Sequence, residues 1–263
     1  MLIAHLSDPH LRASGQLYQG LVDSNALFDI ALDTLAALDP QPDIVLIGGD
    51  LVDEGTAAEY ATVTEKLARI AQPVYAIPGN HDAREPFRQC LASRGYLPAE
   101  GPLHFCIDGP VRVIGFDVTV PGAHHGQVDA AAAEWLDQTL AQAPDTPTLV
   151  LMHQPPVQSG ITCIDGYNCR GEDLLAAVLS RHPQVERLLC GHIHRFMQTA
   201  FGGTQLICAP STATAIAARL TPDAPPASFV EPPALLLHDA RRPGPIVTHY
   251  LPVGRFPGPF PFF

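Results

Sequence analysis

Short apolar runs recur along the first two-thirds of the chain, and five of them end in residues able to bind a metal ion. Leu2–Leu6 runs into Ser7-Asp8-Pro9-His10, Ile44–Ile47 into Gly48-Gly49-Asp50, and Val74–Ile77 into Pro78-Gly79-Asn80-His81-Asp82. Leu149–Met152 runs into His153, and Val185–Cys190 into Gly191-His192-Ile193-His194. Apolar runs this short, bounded by turn residues, read as buried strands. Val111–Phe116 is a further run of the same kind. Between the runs the spacing is helical. Leu27, Ile30, Ala31, Leu35 and Leu38 share one face, Thr56-Ala-Ala-Glu59 has the form of a capping box, and helices are predicted over 83–92, 130–140 and 172–181. Strands alternating with helices predict an α/β layered fold. In such sheets the carboxyl ends of the strands form the binding crevice, so five segments deliver ligands to one place.

The residue types suit that task. Carboxylates and imidazoles bind Zn, Mn or Fe without any thiolate. One Asp can bridge two cations about 3.5–4 Å apart. Each piece alone has an ordinary explanation: a lone Asp after a strand is a turn or cap residue, Asn80-His81 is common turn chemistry, and His-x-His occurs on strands that bind nothing. Their occurrence together at five strand ends favours a metal centre.

Net charge is −12, from 15 Lys and Arg against 27 Asp and Glu, which argues against general nucleic-acid binding. No apolar run approaches the roughly 20 residues of a membrane helix, and the N-terminus does not read as a signal peptide, so a cytoplasmic protein is expected. The six cysteines form no Cys-x-x-Cys pair and are expected to be reduced and mostly buried. A disulfide between Cys163 and Cys169 is the alternative.

After about residue 195 the texture changes. Segments 196–201, 204–208, 234–238 and 246–251 read as strands, and 221–233, with five prolines, as a loop. The expected organisation is a catalytic core over 1–215. Residues 216–263 then complete that core or form an oligomer interface. The Phe- and Pro-rich end, 256–263, either frays or docks on the core or on a neighbouring subunit.

Asp8-x-His10, Gly49-Asp50, Gly79-Asn80-His81-Asp82, His153 and Gly191-His192-x-His194 together resemble the signature of the calcineurin-like metallophosphoesterases, over roughly residues 1–215. Pro9 departs from the family pattern and is expected to stiffen its loop only. Val120-Pro-Gly-Ala-His-His-Gly-Gln127 and the Trp135-Leu136 helix resemble the bacterial class III cyclic-nucleotide phosphodiesterases. Leu17-Tyr18-Gln-Gly-Leu-Val-Asp23-Ser-Asn25-Ala resembles the related glycerophosphodiesterases. The resemblance implies two mixed β-sheets packed as a sandwich and flanked by helices. It also implies two divalent ions, one held by Asp8, His10 and His194 and one by Asn80, His153 and His192, with Asp50 bridging them.

The expected activity is hydrolysis of small phosphodiesters, 3',5'-cyclic nucleotides or glycerophosphodiesters, by a hydroxide held between the ions. His81 is not a ligand in the family; it is expected to contact the phosphate or protonate the leaving oxygen. Asn80 and either His124 or His125 are further substrate contacts. Asp53 and Asp82 are expected to orient ligand imidazoles. Specificity is expected from walls at 12–20, 54–56, 121–127 and 155–171. A homo-oligomer is expected, the 155–171 segment capping the site. The competing readings are a phosphomonoesterase or protein phosphatase with the same ions, and a scaffold of this fold without catalysis. A nuclease is disfavoured by the lack of a basic groove.

Overall fold

The computed structural model describes residues 1–261. In chain order the elements are β1 (Leu2–Leu6), α1 (Ser24–Ala36), β2 (Ile44–Ile47), α2 (Ala57–Leu67), β3 (Val74–Ala76), α3 (Arg84–Leu91), β4 (Phe105–Ile107), β5 (Arg112–Gly115), α4 (Ala130–Ala141) and β6 (Thr148–Leu151). They continue with α5 (Thr162–Asp165), α6 (Glu172–Leu179), β7 (Val185–Cys190), β8 (Met197–Phe201), β9 (Thr204–Cys208), β10 (Ala215–Ile216), β11 (Ser228–Phe229), β12 (Ala234–Asp239) and β13 (Val247–Pro252).

Two mixed sheets result, flanked by helices. The first runs β13-β12-β1-β2-β3 and the second β4-β5-β6-β7-β9-β8. β1, β2 and β3 run parallel, as do β5, β6, β7 and β9; antiparallel β12 and β13 extend the first sheet on one side, and antiparallel β4 and β8 flank the second. Alternation along each strand divides its side chains between two cores. Ile3, Leu46, Leu149, Leu151, Leu189 and Ile207 meet between the sheets. Ala4, Leu6, Val45 and Ile47 face a cluster containing α1 and α2 residues such as Phe28 and Val63. Val150, Leu188 and Leu206 pack with Leu136 of α4 and Leu175 of α6. Strands covered on both faces must be apolar on both, which is why they read as continuous runs.

Local signals set the helix starts. Thr56 Oγ1 accepts from Glu59 N at 3.3 Å and Glu59 Oε2 from Thr56 N at 3.0 Å, the reciprocal pair expected of a capping box. Asp23 caps α1 by accepting from Ala26 N at 2.9 Å.

Strands appear that the sequence reading does not predict. β4 was not anticipated, being three residues long between Gly- and Pro-containing turns, too short to show alternation. The 221–233 segment is not all loop: β11 pairs antiparallel with β10, Ala215 opposite Phe229 and Ile216 opposite Ser228. All six cysteines are free, the reduced state expected from the sequence. Cys169 is buried with its thiol 3.5 Å from Arg170 O, while Cys163 lines a surface cleft, so no 163–169 disulfide forms.

Residues beyond 216 are woven into the first sheet, where β12 pairs antiparallel with β1, Ala4 opposite Leu237. Phe256 and Phe260 of the expected docking tail are 59% and 76% exposed, and Phe262 and Phe263 lie outside the described residues. Among the described residues no helix is long and apolar enough to cross a membrane.

Candidate metal centre

The loops leaving β1, β2, β3, β6 and β7 converge where the two sheets meet. Asp8 N donates to Gly49 O at 3.1 Å, and Gly191 N to His153 O at 3.0 Å, so neighbouring loops are laced backbone to backbone. Two glycines permit this approach. A Cβ on Gly79 would fall on the Asp50 carboxylate, and one on Gly191 on Ser7 Oγ.

The backbone is strained at the same points. Among the described residues six non-glycine positions have positive φ: Asp8 (51°), His10 (43°), Gln19 (51°), Asp50 (51°), His192 (69°) and His194 (56°). Five of the six belong to the ligand set expected from the sequence. Left-handed backbone costs a non-glycine residue about 1–3 kcal/mol and persists where the surroundings over-determine it, typically at functional sites.

Asp8, His10, Asp50, His153, His192 and His194 are all buried. Asp8, His10, Asp50 and His194 offer ligand atoms that lie within 4.8 Å of one another. Asp50 Oδ2 is 3.6 Å from His10 Nε2 and 3.3 Å from His153 Nε2, between the two expected half-sites. Its other oxygen accepts from His81 N at 2.8 Å. The rings of His153 and His192 meet edge to face at 5.2 Å.

Hydrogen bonding fixes which imidazole nitrogens are free. His153 Nδ1 lies 2.6 Å from Gly48 O, and His194 Nδ1 2.9 Å from Thr214 O. A carbonyl only accepts, so both rings carry a proton on Nδ1 and keep Nε2 for another partner. His153 Nε2, His192 Nε2 and Asn80 Oδ1 are buried without any hydrogen-bond partner among the described residues. Orphaned buried lone pairs cost about 1–3 kcal/mol each. Nitrogen and oxygen donors converging on two buried carboxylates fit bound cations, which would satisfy them.

The electrostatics agree. Burial pushes His194 down to about 4 and His192 well below its ordinary value, so both are neutral, the form that ligates. Burial pushes Asp50 up, but His153, His81 and His10 hold it well below the usual carboxylate range. Burial also lowers His153, but Asp50 and Asp8 outweigh it and raise the imidazole to about 10; a cation would stand where that proton does.

His81 is set apart from this group. Its Nδ1 donates to Asp53 O at 2.7 Å, and the ring meets His10 edge-on at 4.8 Å. Burial lowers its pKa, but the Asp50 carboxylate and Asp53 outweigh that and raise it. His124 stands 3.4 Å from the Asn80 amide and edge-on to Tyr167 at 5.6 Å. Gln154 Nε2 donates to His124 O at 3.1 Å and so holds its loop.

Other expected roles shift. His125 does not line the cleft; adjacent side chains of a loop diverge, and only His124 enters. Asp53 does face an imidazole, 3.7 Å from His10 Nδ1, and is itself paired with Arg12 at 2.7 Å. Asp82 touches no ligand ring. It accepts from Leu51 N, Gly79 N and the Tyr60 hydroxyl, tying the Asp50 loop to the Asn80 loop. The 54–56 wall is absent from the cleft, because Glu54 pairs with Arg12 and Thr56 caps α2.

The cleft above these residues holds about 400 Å³. Tyr18, Gln19, His124, Cys163, Ile164 and Tyr167 form one part of its wall. Thr214, Ile216 and Pro226–Ser228 form another that sequence reasoning missed. Only the pairing of β10 with β11 brings that segment over the site, and nothing local signals such a contact.

A family model described as calcineurin-like phosphoesterase matches residues 1–196. The chain is 34% identical, over all of its length and 97% of the relative's, to a probable glycerophosphodiester phosphodiesterase from Arcobacter nitrofigilis. It is 31% identical to a 3',5'-cyclic adenosine monophosphate phosphodiesterase from Escherichia coli K12, over 80% of this chain and 75% of that one. Its fold is similar to that of a dimetal phosphatase from Danio rerio, with a TM-score of 0.62 at 13% identity over 97% and 99% of the two chains. The chain belongs to the calcineurin-like phosphoesterase family.

A bridging Asp50 makes a specific demand. If Asp50 bridges two ions as the sequence implies, Asp50→Ala would weaken both together, whereas His194→Ala would spare the one expected at Asn80, His153 and His192. Metal per chain by equilibrium dialysis checks this; an Asp50→Ala protein that keeps one tight ion contradicts it.

Proposed function

We propose that the protein is a two-metal phosphodiesterase acting on small diesters, 3',5'-cyclic nucleotides or glycerophosphodiesters. The names of its relatives support that class. The observation that carries the choice of diester over monoester is the charge of the cleft. Among its lining residues there is no Lys or Arg. The four positive charges of two bound divalent ions would be offset by Asp8, Asp50 and a deprotonated water nucleophile, leaving about one for the substrate. A diester brings one further negative charge at neutral pH. A monoester brings close to two, and beyond the His81 imidazolium, whose proton is assigned to the leaving oxygen, the lining offers no Lys or Arg for the second.

Two divalent ions, Mn, Fe or Zn, when bound supply Lewis acidity, making water a nucleophile near neutral pH and neutralising phosphate oxygens. Asp8, His10 and His194 would hold the first and Asn80, His153 and His192 the second, with Asp50 available to both. The chain's own groups do the rest. His81 is the general acid: Asp53 O engages its Nδ1, so Nε2 is the nitrogen that protonates the leaving alkoxide. The backbone carbonyl and the carboxylate of Asp53 both favour the protonated ring. Asp53 positions both His81 and His10. His124, held by Gln154 beside Asn80, contacts the substrate.

We place the protein in the cytoplasm, where its six free thiols suit the reducing conditions, as a homo-oligomer. Exposed Phe196 and Tyr250 meet edge to face at 5.8 Å beside edge strand β13 and supply apolar surface for self-association. Size-exclusion chromatography of the cytoplasmic fraction recovers it above the mass of one chain; another fraction, or the single-chain mass, contradicts the corresponding half.

His81→Ala keeps its metal content and lowers kcat on cyclic AMP, glycerophosphoethanolamine and an aryl diester by about 10²–10⁴-fold. Loss of metal from this variant, or unchanged kcat, removes His81 from the role. Parent activity on the aryl monoester exceeding that on the diester overturns the diester reading.

A further inference from the structure

The sixth left-handed non-glycine residue, Gln19, belongs to no ligand set, and it too lines the cleft. The chain makes a tight turn there. Tyr18 N donates to Val22 O at 2.8 Å, Val22 N returns a bond to Tyr18 O at 3.0 Å, and Gly20, at φ 69°, follows Gln19 in the same left-handed region. The turn leaves Leu17 43% and Leu21 81% exposed while Tyr18 between them is 5% exposed. A segment that strains its backbone and exposes two leucines to bury one tyrosine is shaped around that tyrosine.

The Tyr18 ring stacks on His10, with centroids 4.7 Å apart and planes 29° from parallel. Gln19 Nε2 lies 3.0 Å from Tyr18 Oη. An amide nitrogen only donates, so Gln19 occupies a lone pair of the phenol and leaves its proton uncommitted. Among the described residues no acceptor takes that proton. A phenol keeps its proton on oxygen at neutral pH. A neutral donor is therefore presented at the rim of the metal centre, in a cleft whose lining has no Lys or Arg.

We propose that the Tyr18 hydroxyl donates a hydrogen bond to a phosphoryl oxygen of the bound substrate, and that Gln19 is the positioning residue that orients it. The proposal rests on the phosphodiesterase reading above. It assigns to Tyr18 the recognition that a Lys or Arg would otherwise perform, without adding a charge that a second phosphate charge could use.

Tyr18→Phe removes only the hydroxyl and keeps the ring on His10. Two quantities are read on metal-loaded parent and variant: affinity for inorganic phosphate by isothermal titration, and kcat and KM on an aryl diester. The expected result is unchanged metal content and melting temperature, with phosphate affinity and kcat/KM both lower by about tenfold to a hundredfold. Gln19→Ala gives a smaller loss in both, because the hydroxyl remains but rotates freely. Phosphate affinity and kcat/KM within twofold of the parent overturn the proposal. So does loss of metal from Tyr18→Phe, which would make Tyr18 a support for His10 alone. A parent that binds phosphate but hydrolyses no diester overturns the phosphodiesterase reading, and the phosphate titration then decides the Tyr18 contact by itself. A parent that neither binds phosphate nor hydrolyses the diester overturns both.

Discussion

The carboxylate of Asp50 sits at the seam between the two sheets, and the rest of the site is arranged around it. One oxygen is fixed by His81 N, and the other lies between His10 and His153, which leave different strands of different sheets. A buried carboxylate is costly unless it is paired. Here its compensation comes from imidazoles, and burial alone would protonate it. That one group couples both halves of the site, so neither half can be moved without disturbing the other.

Such a centre needs a rigid frame. Left-handed backbone at Asp8, His10, Asp50, His192 and His194 would relax if the loops were free to move. They are not free, because each leaves a strand packed on both faces, with one apolar cluster between the sheets and one under each helical layer. Asp82 adds a polar clamp, since its buried carboxyl gathers two backbone amides from adjacent loops and a tyrosine hydroxyl. Burial and the nearby Asp50 charge push that carboxyl up to about 7, so it holds the loops without adding a full second charge beside Asp50.

Much of this was legible in the chain because its signals are local. An apolar run followed by Gly-Gly-Asp or Gly-His-x-His announces both a buried strand and what stands at its end. Thr56 and Glu59 announce a helix start three residues apart. What escaped depends on contacts between distant segments. Ile216 and Pro226–Ser228 line the cleft because a two-residue ribbon folds over it. Glu54 is drawn from the expected wall by a buried Arg12 that lies 42 positions earlier. The reading of Asp82 as a partner for imidazoles failed because sequence shows its place beside Asn80-His81 but not that its carboxylate turns to the backbone. Tyr18 lay within an expected wall, yet its stacking on His10 and its bond from Gln19 appear only in three dimensions.

Shared cation binding at Asp50 is tested most directly by anomalous diffraction from crystals of the metal-loaded protein, recorded above and below the absorption edge of the metal. The account predicts two peaks flanking the Asp50 carboxylate, about 3.5–4 Å apart, one beside His10 and His194 and the other beside His153 and His192. A single peak, or two peaks of which only one contacts Asp50, would contradict it.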